Sequence, residues 1–120
     1  MDLKQIDVKW KKLMVYLLLL YFLLISSTAL AQTKVICFNA EWNKANNVEW
    51  FDKLKDIKKE TMDITVGDCQ KKYQIAIVPT IVIFKDGEEV KRYQADLSFK
   101  MIATRKEIQD YINDLIMSDF

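Results

Sequence analysis

The sequence predicts an α/β fold built around a mixed sheet in one domain, and three observations carry that expectation. Two unbroken β-branched and aromatic runs, Lys34 to Ala40 (KVICFNA) and Thr80 to Phe84 (TIVIF), have the character of short strands buried on both faces. Between them, Val48, Phe51, Leu54 and Ile57 recur every three residues and mark one helix face, followed by a strand-like Thr61 to Val66 (TMDITV). A strand-helix-strand unit of this kind favours parallel pairing with a right-handed crossover. Finally, Lys85-Asp86-Gly87-Glu88 carries an Asp-Gly pair able to supply the positive φ of a tight hairpin, so an antiparallel strand is expected next.

Taken in order, the first 31 residues read as a targeting element. Lys4, Lys9, Lys11 and Lys12 precede an uncharged run from Leu13 to Ala31, which closes on Ala29-Leu30-Ala31, an A-x-A type cleavage site. The expectation is a cleaved signal peptide over 1–31 and an exported domain over 32–120, periplasmic or secreted. The alternative is an uncleaved membrane anchor formed by residues 13–31, since that run just matches a bilayer core of about 30 Å. The membrane is then touched through this segment alone.

The domain opens with the strand at 34–40. The polar stretch with Asn43, Asn46 and Asn47 leads into the helix on Val48, Phe51, Leu54 and Ile57, whose charged neighbours form its solvated face. After the strand 61–66, Gly67-Asp68 breaks the chain before a short helix from Cys69 to Tyr73. The strand 80–84 and the Asp-Gly turn lead to a strand from Glu89 or Val90, which the alternation Tyr93, Ala95, Leu97, Phe99, Met101 extends unusually far, with a bulge. Thr104 and Glu107 have capping-box spacing, and Ile108, Tyr111, Ile112, Leu115 and Ile116 form an apolar stripe, so the last helix is placed at 104–117.

Composition excludes several functions. The 120 residues suit a single domain, and the net charge of +1 gives no footprint for nucleic acid. Removing the four lysines and two aspartates of the first 31 residues leaves 14 basic against 15 acidic side chains in an 89-residue domain. The chain has no His, hence neither the commonest general base nor the commonest metal ligand. Two glycines make no phosphate-cradling loop, and no cofactor or metal is expected.

Local sequence sharpens the fold. Val35-Ile36-Cys37-Phe38-Asn39-Ala40-Glu41-Trp42 resembles the strand that runs into the active site of the thioredoxin family. Lys72-Tyr73-Gln74-Ile75 and Val78-Pro79-Thr80-Ile81-Val82-Ile83-Phe84-Lys85-Asp86-Gly87 resemble the stretch around that family's cis-proline. The resemblance spans residues 34 to 116. It implies a thioredoxin-like three-layer α/β/α fold with about four strands in a mixed sheet, lacking the family's first strand and helix. Where the family carries Cys-x-x-Cys after the Trp, this chain has Asn43-Lys44-Ala45-Asn46, and the family's buried Asp is replaced by Cys37. An amide neither attacks a disulfide nor resolves one, so exchange through that motif is lost.

The resemblance further implies a peptide-binding surface from Trp42, Asn43, Asn46, Val78 and Pro79, with the backbone of Val78 presented to an extended partner. Other readings stand beside it. The cis-proline also serves as turn geometry, Trp42 is preferred as a core residue packing its loop over an exposed platform, and Trp50 is expected off the helix stripe and exposed. Asn43, Asn46 and Asn47 are expected to be helix N-caps. Cys37 and Cys69 are preferred as two separate thiols, with a structural disulfide and a working redox couple as alternatives. The expected function is a non-catalytic module for a protein or peptide partner. The alternative is an oxidoreductase of altered chemistry using Cys37 or Cys69 in cell redox homeostasis.

Overall fold

The computed structural model describes residues 3–27 and 32–119 and divides the chain into two compact units, Met1–Leu30 and Ala31–Phe120. The first unit is helix α1 (Leu3–Ser27), whose side chains from Val8 to Phe22 are exposed. Among the described residues, no helix is long and apolar enough to cross a membrane. The expected cleavage site Ala29-Leu30-Ala31 lies outside the described residues.

The second unit is a four-stranded mixed sheet of order β2-β1-β3-β4, formed by β1 (Thr33–Asn39), β2 (Lys58–Asp63), β3 (Thr80–Lys85) and β4 (Glu88–Gln94). Strand β1 pairs parallel with β2 and antiparallel with β3, which pairs antiparallel with β4. The central strands are the two apolar runs of the sequence: Val35, Ile36, Phe38, Ile81, Val82 and Ile83 are fully buried, as strands covered on both faces must be. At the hairpin, Asp86 (φ 54°) and Gly87 (φ 83°) both take positive φ, the type I′ geometry that matches strand twist. The β3–β4 register shifts between Ile83 and Phe84, which leaves Val90 as the extra residue of a bulge.

Alternation of side chains divides the core. On one face Val35, Cys37, Ile81, Ile83 and Tyr93 pack with Phe51, Leu54 and helix α3 (Arg105–Met117). On the other, Ile36, Phe38 and Val82 pack with Ile75, Val78 and the one-turn helix α2 (Cys69–Lys72). Helix α3 begins as expected: Thr104 Oγ1 accepts from Glu107 N–H at 3.2 Å. Its Ile108 and Ile112 are fully buried, each contributing about 1.5–3 kcal/mol of transfer free energy. Helix α2 is too short to stand by itself. Its C-terminal carbonyls are tied by the Arg92 guanidinium, which donates to Tyr73 O (2.8 Å) and Gln74 O (2.9 Å) and is itself held by Glu89.

Three expectations are corrected. The helix drawn through Val48, Phe51, Leu54 and Ile57 is absent: residues Glu41–Asn46 and Phe51–Lys53 are 3₁₀ turns, and Asp56 takes a positive φ of 64°. The apolar positions do face the core, but a strict spacing of three is the 3₁₀ period and lacks the i+4 partners of an α stripe, and 3₁₀ runs stay short. Side chains satisfy this irregular backbone: Gln109 both accepts from Lys55 N–H (2.8 Å) and donates to Lys55 O (3.1 Å), while Lys59 Nζ donates to Asp52 O (2.6 Å) and Leu54 O (2.8 Å).

The second strand runs over 58–63 rather than 61–66, because the Asp63 carboxylate accepts from Thr65 N–H and Oγ1–H and turns the chain. The last strand stops at Gln94 instead of running through Met101. There the Asp96 carboxylate gathers Ser98 N–H (2.9 Å), Ser98 Oγ–H (2.5 Å) and Lys100 N–H (3.1 Å), leaving only an isolated bridge between Ala95 and Met101.

Candidate functional site

The site is assembled where β1 ends. Ala40 is buried, and the chain turns at once into the 3₁₀ segment Glu41–Asn46. Asn43 departs from helical dihedrals inside it (φ −112°, ψ 18°), and among the described residues it is one of two buried polar residues, 4% exposed. Its Nδ2 donates to Asn39 Oδ1 (3.1 Å) and Phe99 O (3.3 Å), and its Oδ1 accepts from Asn46 Nδ2 (2.9 Å). Asn39 Nδ2 in turn donates to Asn47 Oδ1 (2.5 Å) and to Asn43 O (3.4 Å). Four asparagines thus form one network of neutral amides, and among the described residues no buried side-chain polar atom lacks a partner.

That network ties the 41–46 turn to the loop at 95–101. Phe99 occupies the left-handed region (φ 63°), uncommon for a bulky residue, held by the Asp96 turn beneath it and by Asn43 at its carbonyl. Its ring meets the Trp42 indole edge to face, 5.2 Å between centroids. The same loop reaches the Val78–Pro79 segment, whose peptide bond is cis: Ala95 N–H donates to Pro79 O at 3.0 Å. Trp42 is 62% exposed and Leu97 94%, with Phe99 and Ile102 also open to solvent. Two loops stitched together by Asn43 therefore hold the Trp42–Phe99 pair open to water.

The sequence-predicted residues are redistributed by this arrangement. Trp42 is exposed rather than a core residue, because the inward position of its turn is taken by Asn43. Trp50 is half-buried against the α3 side of the core instead of exposed. Asn43, Asn46 and Asn47 are not helix caps: the turn starts at Ala40 with no side-chain cap, and the amides bond to one another across the turn. Val78 is 2% exposed and Pro79 is fully buried, so neither offers open surface beside Trp42. Asn39 and Phe99 were not singled out in the sequence. Four asparagines within nine positions, one of them ending an apolar strand, were the available signal.

No protein-family model matches the chain, and no curated protein matches it. Solved structures do. A malaria-parasite thioredoxin-2 superposes with a TM-score of 0.57 at 18% identity, covering 70% of this chain and 84% of its own. A thioredoxin mutant from Halobacterium salinarum gives 0.54 at 21% over 69% and 74%, and a reduced Schistosoma mansoni thioredoxin pre-protein 0.55 at 22% over 69% and 78%. The fold is thioredoxin-like. Against that resemblance the chain presents, after Trp42, an Asn-Lys-Ala-Asn turn, and the thioredoxin-like domain starts at the strand β1 that leads into it.

The thiols of this thioredoxin-like domain lie on opposite faces of its sheet and are both free, so the disulfide alternative is excluded by placement. Cys37 is 6% exposed, and burial, with a smaller push from Asp52, drives its pKa up to about 12. Cys69 opens α2 and rests against the Met62 sulfur at 4.0 Å. Burial and then Asp63 raise its pKa, with Lys72 opposing. Both shifts disfavour the thiolate that exchange chemistry needs. Beside the amide network an open cleft of about 460 Å³ runs along the ends of β1 and β2, lined by Cys37, Asn39, Asn47, Phe51 and Thr61, with Glu41, Glu49, Asp52 and Asp63 around it.

Proposed function

We propose that the chain is an exported thioredoxin-like domain that binds an extended segment of a protein partner over Trp42 and Phe99, without thiol-disulfide turnover. The observation that carries this reading is the exposed Trp42–Phe99 pair, held edge to face on two loops pinned by Asn43. An exposed aromatic pair on a rigid support is the kind of surface from which interface cores are made, and the mutual packing of the two rings reduces the entropy cost of ordering them on binding. In this reading Val78 and Pro79 take a supporting part, with Pro79 O holding the start of the 95–101 loop through the Ala95 bond. The amide turn Asn43-Lys44-Ala45-Asn46 and the two disfavoured thiolates support a role outside redox chemistry over the oxidoreductase alternative.

Export, to a periplasm or beyond the cell, belongs to the same proposal and rests on the lysines and the apolar run of the first 31 residues, with anchoring through residues 13–31 as its alternative form. The binding test is an array of extended peptides of varied apolar content probed with the protein. Binding to apolar peptides that falls at least tenfold in Trp42→Ala and Phe99→Ala, with unchanged circular dichroism, is the expected result. Binding indifferent to both substitutions would end the proposal.

A further inference from the structure

Strand β2 is the parallel edge of the sheet, and among the described residues no strand lies outside it. The ladder fixes which of its groups face outward. Ile64 N–H donates inward to Asn39 O at 3.0 Å, and in a strand successive residues alternate. The N–H and C=O of Lys59, Thr61 and Asp63 therefore point away from β1. Such an edge invites another strand, and proteins commonly blunt it with charge, as Lys58-Lys59-Glu60 does here.

Those charges do not reject every partner. In a two-fold antiparallel pairing of β2 with β2 of a second copy, outward-facing residues must meet outward-facing residues. Register then decides. Setting Lys59 opposite itself brings like charges together, and setting Glu60 opposite itself does the same. Setting Thr61 opposite Thr61 places Lys59 against Asp63 twice, with Glu60 against Met62 and no like pair. Lys59 and Asp63 project from the same sheet face, as residues four apart on a strand do, so the opposite charges meet. Lys59 Nζ spends two of its three hydrogens on Asp52 O and Leu54 O, which leaves one for a carboxylate.

We infer that a second copy of this chain docks along β2 in this register, joining two four-stranded sheets into one of eight. The pairing is isologous, forms two hydrogen bonds at each of the Lys59–Asp63, Thr61–Thr61 and Asp63–Lys59 positions, and closes both edges at once. The charged edge is thereby a selector: registers centred on Lys59, Glu60 or Asp63 set like charges opposite each other, and of the Thr61- and Met62-centred registers that remain, only the Thr61-centred one pairs opposite charges.

The test uses the full chain in neutral detergent micelles. Directly opposite residues of a hydrogen-bonded pair stand about 5.5 Å apart at Cα, inside the range a disulfide spans, whereas the two Lys59 positions would be separated by about 14 Å. Under mild oxidation Thr61→Cys is expected to form disulfide-linked dimer at least tenfold faster than Lys59→Cys, and equal rates would overturn the register. Sedimentation supplies the second readout. Because Thr61 N–H faces away from β1, Thr61→Pro spares the internal ladder and is expected to shift the protein to monomer. A monomeric parent, or a dimer insensitive to Thr61→Pro such as association through α1 would give, would overturn the proposal.

Discussion

Cys37 gives the most quantitative consequence of the core. Its thiol has a pKa of about 12 in the folded chain against 9.0 for the free group, mainly because burial disfavours the thiolate. A folded-state pKa raised above the unfolded value means stability that is complete below the unfolded pKa and is lost as pH climbs toward the folded one. The window is therefore pH 9 to 12, with a limiting slope of about 1.4 kcal/mol per pH unit. At pH 10 the unfolded thiol is about nine-tenths ionised while the folded one is about one-hundredth so, and the loss works out to about 1.4 kcal/mol. Urea unfolding of the parent and of Cys37→Ala at pH 7.5 and pH 10 measures it. The substitution lowers the baseline by opening a small cavity, but the difference between the two pH values should be smaller in Cys37→Ala by about 1.4 kcal/mol. Tyr93, also pushed up to about 12 by burial, stays in both proteins and cancels. Equal pH losses in parent and variant would mean that Cys37 reaches solvent, and the case against thiol chemistry in the core would fail with it.

Three further outcomes are expected. Gly87→Val should cost about 1–2 kcal/mol in thermal or urea unfolding, purely from φ 83°, because a Cβ at this position would meet nothing within 4 Å; an unchanged midpoint would refute the type I′ assignment. Asn43→Ala should cost about 1–3 kcal/mol and loosen the 95–101 loop, visible as lost exchange protection at Phe99 and Lys100, since Asn39 and the Phe99 carbonyl lose their donor; protection equal to that of the parent would show the network to be ornamental. Asp96 has its carboxyl pKa lowered below 3.8, first by the Ser98 hydroxyl and then by the Lys100 backbone. Its contribution is present above that pH and fades as pH falls through the folded pKa, so the Ser98 and Lys100 amide resonances should titrate with a midpoint under 3.8. A midpoint above that value would contradict the carboxylate-centred loop.

What the sequence disclosed follows from how local each signal is. Strands β1 and β3, the Asp86-Gly87 turn and the Thr104 cap were legible because continuous apolar runs, positive φ and a three-residue capping offset are properties of neighbouring residues. Over 41–57, apolar spacing by three is common to the α and the 3₁₀ period, and only an i+4 companion distinguishes the two. The strand ends at 63 and 94 were hidden in single aspartates whose carboxylates capture backbone amides just ahead. The amide network was legible only as a local excess of asparagine. Its decisive bond, Asn43 to the Phe99 carbonyl, spans 56 residues, and no pattern within a window of ten reveals it.

The Arg92 clamp on α2 constrains how the chain reaches this structure. A single helical turn held at its C-terminal end by a side chain from a later strand cannot act as a seed, since its retaining group arrives only once β3 and β4 have closed around their turn. Assembly should then run backwards along the sequence here, hairpin first and helix second. Arg92→Ala should leave the rate of hairpin closure alone while raising the rate at which the Cys69–Tyr73 turn frays open. Alkylation of Cys69, which is half-buried in the folded chain, would quicken in the native protein well short of global unfolding.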